Sequence, residues 1–366
     1  MRLMIQPEDG PGQILSALKN ARKSVEIAIF RFDRPDIEKA LKTAVANGVS
    51  ATALVADTNH GGEKNLRQLE TRFLEAGITV ARTAGDLVRY HDKMIIIDRR
   101  VLFMLSFNFT HLDIDHSRGF GIVTKNAAFV QEAAQLFEAD CSRQPYTAGP
   151  GNFVVSPANS RTVLRSFLKR AKKQLLIYDP QISDKEMVRI LQERAKAGVE
   201  IRVIGKISGH SGWAVKKLTR MRLHTRAIIR DGRQAFVGSQ SLRALELDSR
   251  RELGLIVRES KIVKKLIATF ESDWNASSRV LGTQYKKNGD PLPADKKEAE
   301  KALAALVQDL HPLAETVRKA VKKAALQTGG DNLPEKMVKS TVKKVMKKAV
   351  KQAVREAVGD AKSTDA

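Results

Sequence analysis

The sequence HDKMIIID at residues 91–98 returns in altered form as HTRAIIRD at residues 224–231. In each copy a cation follows the histidine at the second position, and an aspartate follows it at the seventh, after an apolar run. Side chains two positions apart on a strand project from the same face, so an imidazole and a positive charge could meet one phosphate together. Each copy therefore supplies half of a site. Two copies related by a two-fold axis would present two imidazoles and two cations to one phosphodiester.

Such a pair can carry a complete reaction. One histidine could attack phosphorus while the other protonates the leaving oxygen, and the cations would offset charge in the transition state. A single H-x-K-x4-D match is a weak signal, because it arises readily by chance. Two copies at equivalent positions of a repeat, each followed by a serine at the same offset, are a strong one.

The surroundings of the two motifs also repeat. Alternating helix and strand patterns precede and follow each motif, and a glycine stop precedes an apolar strand at residues 46–49 and again at 196–199. We therefore predict an α/β fold with two tandem repeats, residues 1–143 and 159–280. A Pro/Gly-rich segment, residues 144–158, is the predicted linker between them.

Residues 281–366 differ in character from the repeats. They carry a net charge of +7 out of +23 for the whole chain, so most of the basicity lies in the repeats themselves. Two helices are expected there, and the second is amphipathic with lysines along one face. It could pack on its own protein, on a second subunit, on an anionic membrane or on nucleic acid.

Composition excludes several classes of protein. The single cysteine, Cys141, rules out an intramolecular disulfide or a cysteine-rich metal site. No window approaches the roughly 20 apolar residues of a membrane span, and the N-terminus lacks a signal-peptide pattern. We expect a cytoplasmic protein, either free or peripheral on the inner membrane face, whose +23 charge attracts an anionic partner.

The two motifs resemble the HKD signature of the phospholipase D superfamily, in particular its two-repeat bacterial members. The family pattern continues with G-S-x-N, and this chain has LSFN at residues 105–108 and GSQS at residues 238–241. The resemblance covers about residues 1–280. It implies two phospholipase D-like α/β/α sandwich repeats with pseudo-two-fold symmetry, one active site between them, a covalent phosphohistidine intermediate, no cofactor and no metal.

Residue roles follow from the resemblance. His91 would be the nucleophile and His224 the general acid and later base. The residues expected to hold phosphate oxygens are Lys93, Arg226, Ser106, Asn108 and Ser239. Asp98 and Asp231 would support the catalytic set, although Asp231-Gly232 is also a turn signal and a structural role is the alternative.

Each copy departs from the family pattern. The carboxylate that orients a histidine in the family is Glu252 in the second copy, whereas its equivalent in the first is Gly119. His91 would then be oriented by another group, such as Asp113 or Asp115, or the two histidines would exchange roles. Arg226 replaces the lysine and can bind phosphate with two hydrogen bonds, but its geometry differs.

The substrate stays open at this point. A phospholipid-acting hydrolase or transferase of cardiolipin-synthase type fits the charge and the tail. A nuclease fits too, since SFNFT at residues 106–110 resembles the small HKD nucleases. A degenerate protein that binds lipid or nucleic acid without turnover is the third possibility. The oligomeric state is also open, because one chain already contains both half-sites.

Overall fold

The computed structural model describes residues 1–57, 63–149, 151–208 and 213–279. The predicted basic helical extension, residues 281–366, lies outside the described residues. Within them the two-repeat α/β architecture is confirmed.

The first repeat alternates strands and helices. Its elements are β1 (Arg2–Gln6), α1 (Gly12–Lys19), β2 (Ser24–Ile29), α2 (Pro35–Ala46), β3 (Ser50–Val55), α3 (Glu63–Glu75), β4 (Thr79–Arg82), β5 (Arg89–Tyr90), β6 (Met94–Ile97), β7 (Val101–Leu105), α4 (His111–Asp115), β8 (Ser117–Thr124) and α5 (Ala127–Ser142).

The second repeat follows the same plan. Its elements are β9 (Phe153–Ser156), α6 (Ser160–Lys169), β10 (Gln174–Ile182), α7 (Lys185–Lys196), β11 (Glu200–Ile207), β12 (Ala214–Lys217), β13 (Arg222–Leu223), β14 (Arg226–Arg230), β15 (Gln234–Gly238), α8 (Ala244–Asp248), β16 (Arg250–Val257), α9 (Ser260–Asn275) and β17 (Ser278–Arg279).

The second repeat begins inside the predicted linker. Strand β9 pairs antiparallel with β16, with Glu252 opposite Ser156. The proline and glycine residues on either side of Phe153-Val154-Val155 led the sequence analysis to assign the whole segment to a hinge. The apolar run nevertheless completes the second sheet, and all three of its side chains are buried.

Each repeat contributes one mixed sheet. Among the described residues, the first sheet runs β1-β8-β7-β6-β2-β3-β4, and the second runs β17-β12-β11-β10-β14-β15-β16, with β9 also paired to β16. Each sheet then gains a short strand from the other repeat. β13 pairs in parallel with β8, and β5 pairs in parallel with β16.

The apolar runs of the two motifs form central strands because both of their faces are covered. In β6, Met94 and Ile96 join a core that both repeats share, whereas Ile95 and Ile97 join the outer core of the first repeat. The shared core also contains residues of α5 and α9. The fold therefore buries the strands that carry the motifs in rigid positions between layers of helices.

Helix ends follow their sequence signals. Gly48 and Gly198, the two predicted helix stops, have φ of +86° and +85°, a region that residues with a Cβ rarely adopt. At the other end, Asn126 and Asp184 each accept a hydrogen bond from a backbone amide of the first helical turn.

Candidate active site

The short strands exchanged between the repeats bring the two histidines into the interface. β5 ends just before His91, and the amide of His91 donates to the carbonyl of Arg251 on β16 at 2.8 Å. β13 ends just before His224, and the amide of His224 donates to the carbonyl of Arg118 on β8 at 3.1 Å. Each histidine backbone is thus fixed by a strand of the opposite repeat.

Glu252 of the second repeat holds the ring of His91. His91 Nδ1 lies 2.8 Å from Glu252 Oε2, and both side chains are buried. The ring also packs edge-on against Phe30 at a centroid distance of 4.6 Å. Burial lowers the pKa of His91 well below its ordinary value, and the positive charges of Lys93 and Arg226 lower it further. A neutral His91 that donates from Nδ1 to the carboxylate would keep the lone pair of Nε2 for a substrate.

Asp113 of the first repeat faces His224. Its Oδ2 lies 3.4 Å from His224 Nδ1 and accepts from the amide and the side chain of Asn108 at 2.9 and 2.6 Å. Its Oδ1 pairs with Arg222. Burial lowers the pKa of His224 well below its ordinary value, and the charge of Asp113 opposes this shift.

The orientation of His91 by Asp113 or Asp115 is therefore corrected. Asp113 lies beside His224 instead, and Asp115 forms an ion pair with Arg34 at 2.6 Å. Position 119 of the first repeat has no room for a carboxylate side chain, since a Cβ on Gly119 would lie 2.9 Å from the ring of Phe107. Glu252 serves His91 across the interface, so the sequence offset of 28 residues from His224 indicated the wrong partner.

The two cations line the same interface. Lys93 is fully buried, donates to the carbonyl of His91 at 2.5 Å and lies 5.3 Å from the centre of the Phe30 ring. Burial lowers its pKa to about 7. Arg226 donates to the carbonyl of His224 at 2.8 Å and to Ser241 at 3.1 Å. Arg226 lowers the pKa of His91 and Lys93 lowers that of His224, so each cation acts on the histidine of the other repeat.

Glu252 carries the opposite shift. Burial raises the pKa of its carboxyl to about 7, against the positive charges of Lys93 and Arg226. Its Oε1 is buried and has no hydrogen-bond partner among the described residues. The pKa values of Lys93 and Glu252 thus both lie near 7.

The predicted phosphate-binding residues lie beside these groups but already have protein partners. Ser106 donates to Thr225 across the interface at 3.2 Å and accepts from the amide of Phe120. Ser239 bonds with the backbone of Leu253. The side-chain NH2 of Asn108 donates to Asp113. The buried Oδ1 of Asn108 has no hydrogen-bond partner within the described part of the chain.

Asp98 and Asp231 lie at the other end of the motif strands. Asp98 accepts from the amides of residues 22–24, and Asp231 accepts from those of residues 172–174. Both adopt φ of +53° at the turn that follows the strand. Seven extended residues span roughly 20 Å, so neither carboxylate reaches its histidine. Their predicted place in the catalytic set is corrected to a structural one.

Two arginine–aspartate pairs that the sequence motifs did not reveal join the repeats near the histidines. Arg118 binds Asp273 at 2.8 Å, and Arg251 binds Asp140 at 2.8 Å. These arginines are the residues whose carbonyls hold the histidine amides. The spacing of 133 residues that relates the two histidines also relates Arg118 to Arg251 and Asp140 to Asp273, and this spacing could have revealed them.

Two imidazoles and two cations therefore line the interface between the repeats, and a carboxylate of the opposite repeat lies near Nδ1 of each ring. The described residues contain no group of three or more histidine, cysteine, aspartate or glutamate side chains placed to hold a metal ion. No helix in the described ranges is long and apolar enough to cross a bilayer.

Comparison with protein families gives a match in both repeats. The model described as "Cardiolipin synthase, PLD-like domain" matches residues 14–141 and 164–274. The two matches fall on either side of the segment that contains β9, and each includes one of the motifs.

Individual relatives share less than 30% sequence identity with this chain. Mitochondrial cardiolipin hydrolase of Mus musculus is 28% identical over 135 residues, which are 36% of this chain and 58% of that protein. The Homo sapiens protein of the same name is 29% identical over 135 residues and is matched over 50% of its length. The chain thus covers only about half of these relatives, and the match uses about a third of the chain.

Two solved structures share the fold over 84% of this chain. Polyphosphate kinase from Porphyromonas gingivalis has a TM-score of 0.64 at 17% identity, over 55% of its own chain. Phosphatidylserine synthase from Haemophilus influenzae Rd KW20 has a TM-score of 0.59 at 11% identity, over 93% of its chain. At these identities the likeness shows a common fold.

Proposed function

Because the chain belongs to the family described as "Cardiolipin synthase, PLD-like domain", we propose that it is a phosphodiesterase acting on phospholipids, by hydrolysis or by transfer to an alcohol. The observation that carries the proposal is the pair of contacts between the repeats, His91 with Glu252 and His224 with Asp113. Glu252 lies within hydrogen-bond distance of His91 Nδ1, whereas Asp113 lies 3.4 Å from His224 Nδ1, which has no hydrogen-bond partner among the described residues. In both cases the carboxylate is on the Nδ1 side of the ring, which leaves Nε2 for the reacting phosphate.

His91 is the better candidate for the nucleophile. Its carboxylate partner is closer than that of His224, 2.8 against 3.4 Å, and a carboxylate on Nδ1 stabilises the charge that develops on the ring during attack. His91 Nε2 would form a bond to phosphorus as the bond from phosphorus to the leaving oxygen breaks. His224 would give its proton to that oxygen, and would then take a proton from the water or alcohol that releases His91.

The remaining groups serve charge and position. Lys93 and Arg226 would offset the negative charge of the phosphoryl oxygens in the transition state. The negative charges of Asp113 and of the substrate phosphate favour a protonated His224. Neither step uses a group from outside the chain except the substrate and the water or alcohol.

Exposed apolar side chains favour a lipid. Val88 is 58% exposed and lies three residues before His91, while Leu112 is 50% exposed and precedes Asp113. Exposed apolar side chains this close in sequence to His91 and to Asp113 suit a substrate that carries acyl chains. In a nuclease, the aromatic residues of the SFNFT segment, Phe107 and Phe109, would be available to stack against bases. Both are completely buried. Nucleic acid therefore remains the alternative that the test must include.

The test uses one preparation with phosphatidylglycerol and phosphatidylcholine in mixed micelles and with plasmid DNA, all in excess chelator, with glycerol added to detect transfer. We expect turnover of a phospholipid, and loss of that activity by at least about 1,000-fold in His91→Asn and in His224→Asn. His116→Asn, in an exposed histidine outside the site, is the matched control. Cleavage of DNA alone, a need for a metal, or full activity of either site variant would refute the proposal.

A further inference from the structure

Two arginines face each other beside the active site. In the parallel pair of β5 and β16, Arg89 lies directly opposite Arg250. Like charges in directly paired positions of neighbouring strands are destabilising. This strand pair is also the one that carries His91 into the interface.

The arginine pair lies in the same row as the catalytic groups. Arg89 and His91 are two residues apart on one strand, as are Arg250 and Glu252 on the other, so all four side chains project from one face. The next residues, Tyr90 and Arg251, occupy the opposite face, where the guanidinium lies 5.5 Å from the tyrosine ring centre. One strand step places the arginine pair roughly 6–7 Å from the His91–Glu252 pair.

A third arginine joins the pair. The guanidinium groups of Arg31 and Arg89 lie 5.7 and 5.3 Å from the centre of the Phe30 ring, the ring that also packs on His91. Among the described residues no carboxylate lies within ion-pair distance of Arg31 or Arg89. Arg250 has a single carboxylate contact, with Glu246 at 3.3 Å, and its buried Nε has no partner in the described ranges.

Mutual repulsion within this cluster affects Arg89 directly. Burial, followed by the charges of Arg250 and Arg31, lowers the pKa of its guanidinium. Arg89 thus lies near two other arginines, and the carboxylates of Glu252 and Glu246 offset its charge only in part. Such a cluster suits a phosphate, since guanidinium groups match its oxygens with paired hydrogen bonds.

The other repeat supplies an internal comparison. The residue equivalent to Arg89 is Arg222, which is neutralised by Asp113, and the residue paired with it across the strands is Ser117 instead of an arginine. The His224 side of the site therefore has no such cationic cluster in the described residues. The asymmetry argues that the charge on the His91 side serves a ligand instead of the fold.

We propose that Arg31, Arg89 and Arg250 bind a second phosphate of the substrate, one strand step beyond the phosphate that His91 attacks. This inference rests on the proposed function, because it takes the His91 pocket as the place of the reacting phosphate. The favoured substrate is a phospholipid whose head group carries another phosphate a few bonds from the scissile ester. Phosphatidylcholine and other lipids with a cationic head group would be disfavoured.

The first test measures binding without turnover, by calorimetry on the full chain. The probes are propane-1,3-bisphosphonate and propylphosphonate, which differ in the second phosphonate. We expect the wild-type protein to bind the bisphosphonate at least tenfold more tightly. The Arg89→Gln/Arg250→Gln double variant should reduce this preference to less than threefold, whereas Arg89→Lys should retain most of it.

Arg233→Gln is the matched control, since it removes one exposed charge from a turn in the second repeat. The double variant should unfold at no lower temperature than the wild type, because it removes facing like charges. Should it fail to fold, Arg31→Gln, in an exposed side chain, is expected to lower the preference at least threefold. No preference in the wild type, a preference kept in the arginine variants, or an equal loss in Arg233→Gln would overturn the inference.

A second test identifies the source of the phosphate by turnover. We expect a preference for phosphatidylglycerol phosphate over phosphatidylglycerol, and its loss in the double variant. A preference for a 5′-phosphorylated dinucleotide over the unphosphorylated one, without the lipid preference, would contradict the lipid assignment. The binding test stands apart from catalysis: a protein that hydrolyses no lipid can still prefer the bisphosphonate, and an active phospholipase can fail to.

Discussion

Replacing Glu252 by glutamine removes the charge that faces His91 Nδ1 at 2.8 Å but keeps the shape of the side chain. A hydrogen bond to a charged group contributes about 1.5–3 kcal/mol. At 1.36 kcal/mol for each factor of ten, its loss in the transition state corresponds to a rate of attack lower by about 10- to 150-fold. The expected effect is on the step in which His91 attacks phosphorus.

The assay is single-turnover release of p-nitrophenolate from bis(p-nitrophenyl) phosphate. This leaving group needs no proton, so the first release reports attack by His91 with little contribution from His224. Asp113→Asn, the equivalent change beside His224, is the matched comparison and should slow the first release less than threefold. A rate for Glu252→Gln within twofold of the wild type, or an equal effect of Asp113→Asn, would refute the assignment of the carboxylate.

Three further outcomes follow from the charges. Above pH about 7, kcat/KM should fall as Lys93 loses its proton, and below pH about 7 it should fall as Glu252 gains a proton. Lys93→Arg should remove the fall on the alkaline side, because arginine stays protonated. Asp98→Ala should lower the free energy of unfolding in urea by about 2–4 kcal/mol and leave kcat within twofold, because it frees three backbone amides. Burial raises the pKa of Asp92 from 3.8 to about 6, so stability falls as the pH rises from about 3.8 to about 6 and stays lower above that. Asp92→Asn should therefore raise the free energy of unfolding at pH 8 by up to about 3 kcal/mol, with a gain of less than about 1 kcal/mol at pH 4 and almost none at pH 3 or below.

The sequence predicted the repeats, the strands that carry the motifs and both histidines because these depend on local pattern. The alternation in β6 follows from burial of both faces, and the glycine stops at Gly48 and Gly198 follow from backbone geometry. The repeated motif predicted equivalent places in two sheets, and each histidine occupies its place at the interface.

The partners of the histidines could not be predicted in the same way. Glu252 was assigned by its offset from His224, but the exchanged strand β5 brings it to His91 instead. That exchange is a tertiary pairing of two residues, too short to leave a periodic signal. Asp231 shows the opposite case, because the turn signal of Asp231-Gly232 agrees with its φ of +53° and with its structural alternative.

The central claim is that His91 attacks a phosphate that His224 serves from the other side. The most direct measurement is the mass of the enzyme after reaction of His224→Asn with bis(p-nitrophenyl) phosphate, quenched in base and digested. We predict one p-nitrophenyl phosphoryl group per chain, on the peptide that contains His91, and none on the enzyme when His91→Asn is used. A label on the His224 peptide of the wild type, or hydrolysis with no covalent adduct in His224→Asn, would contradict the account.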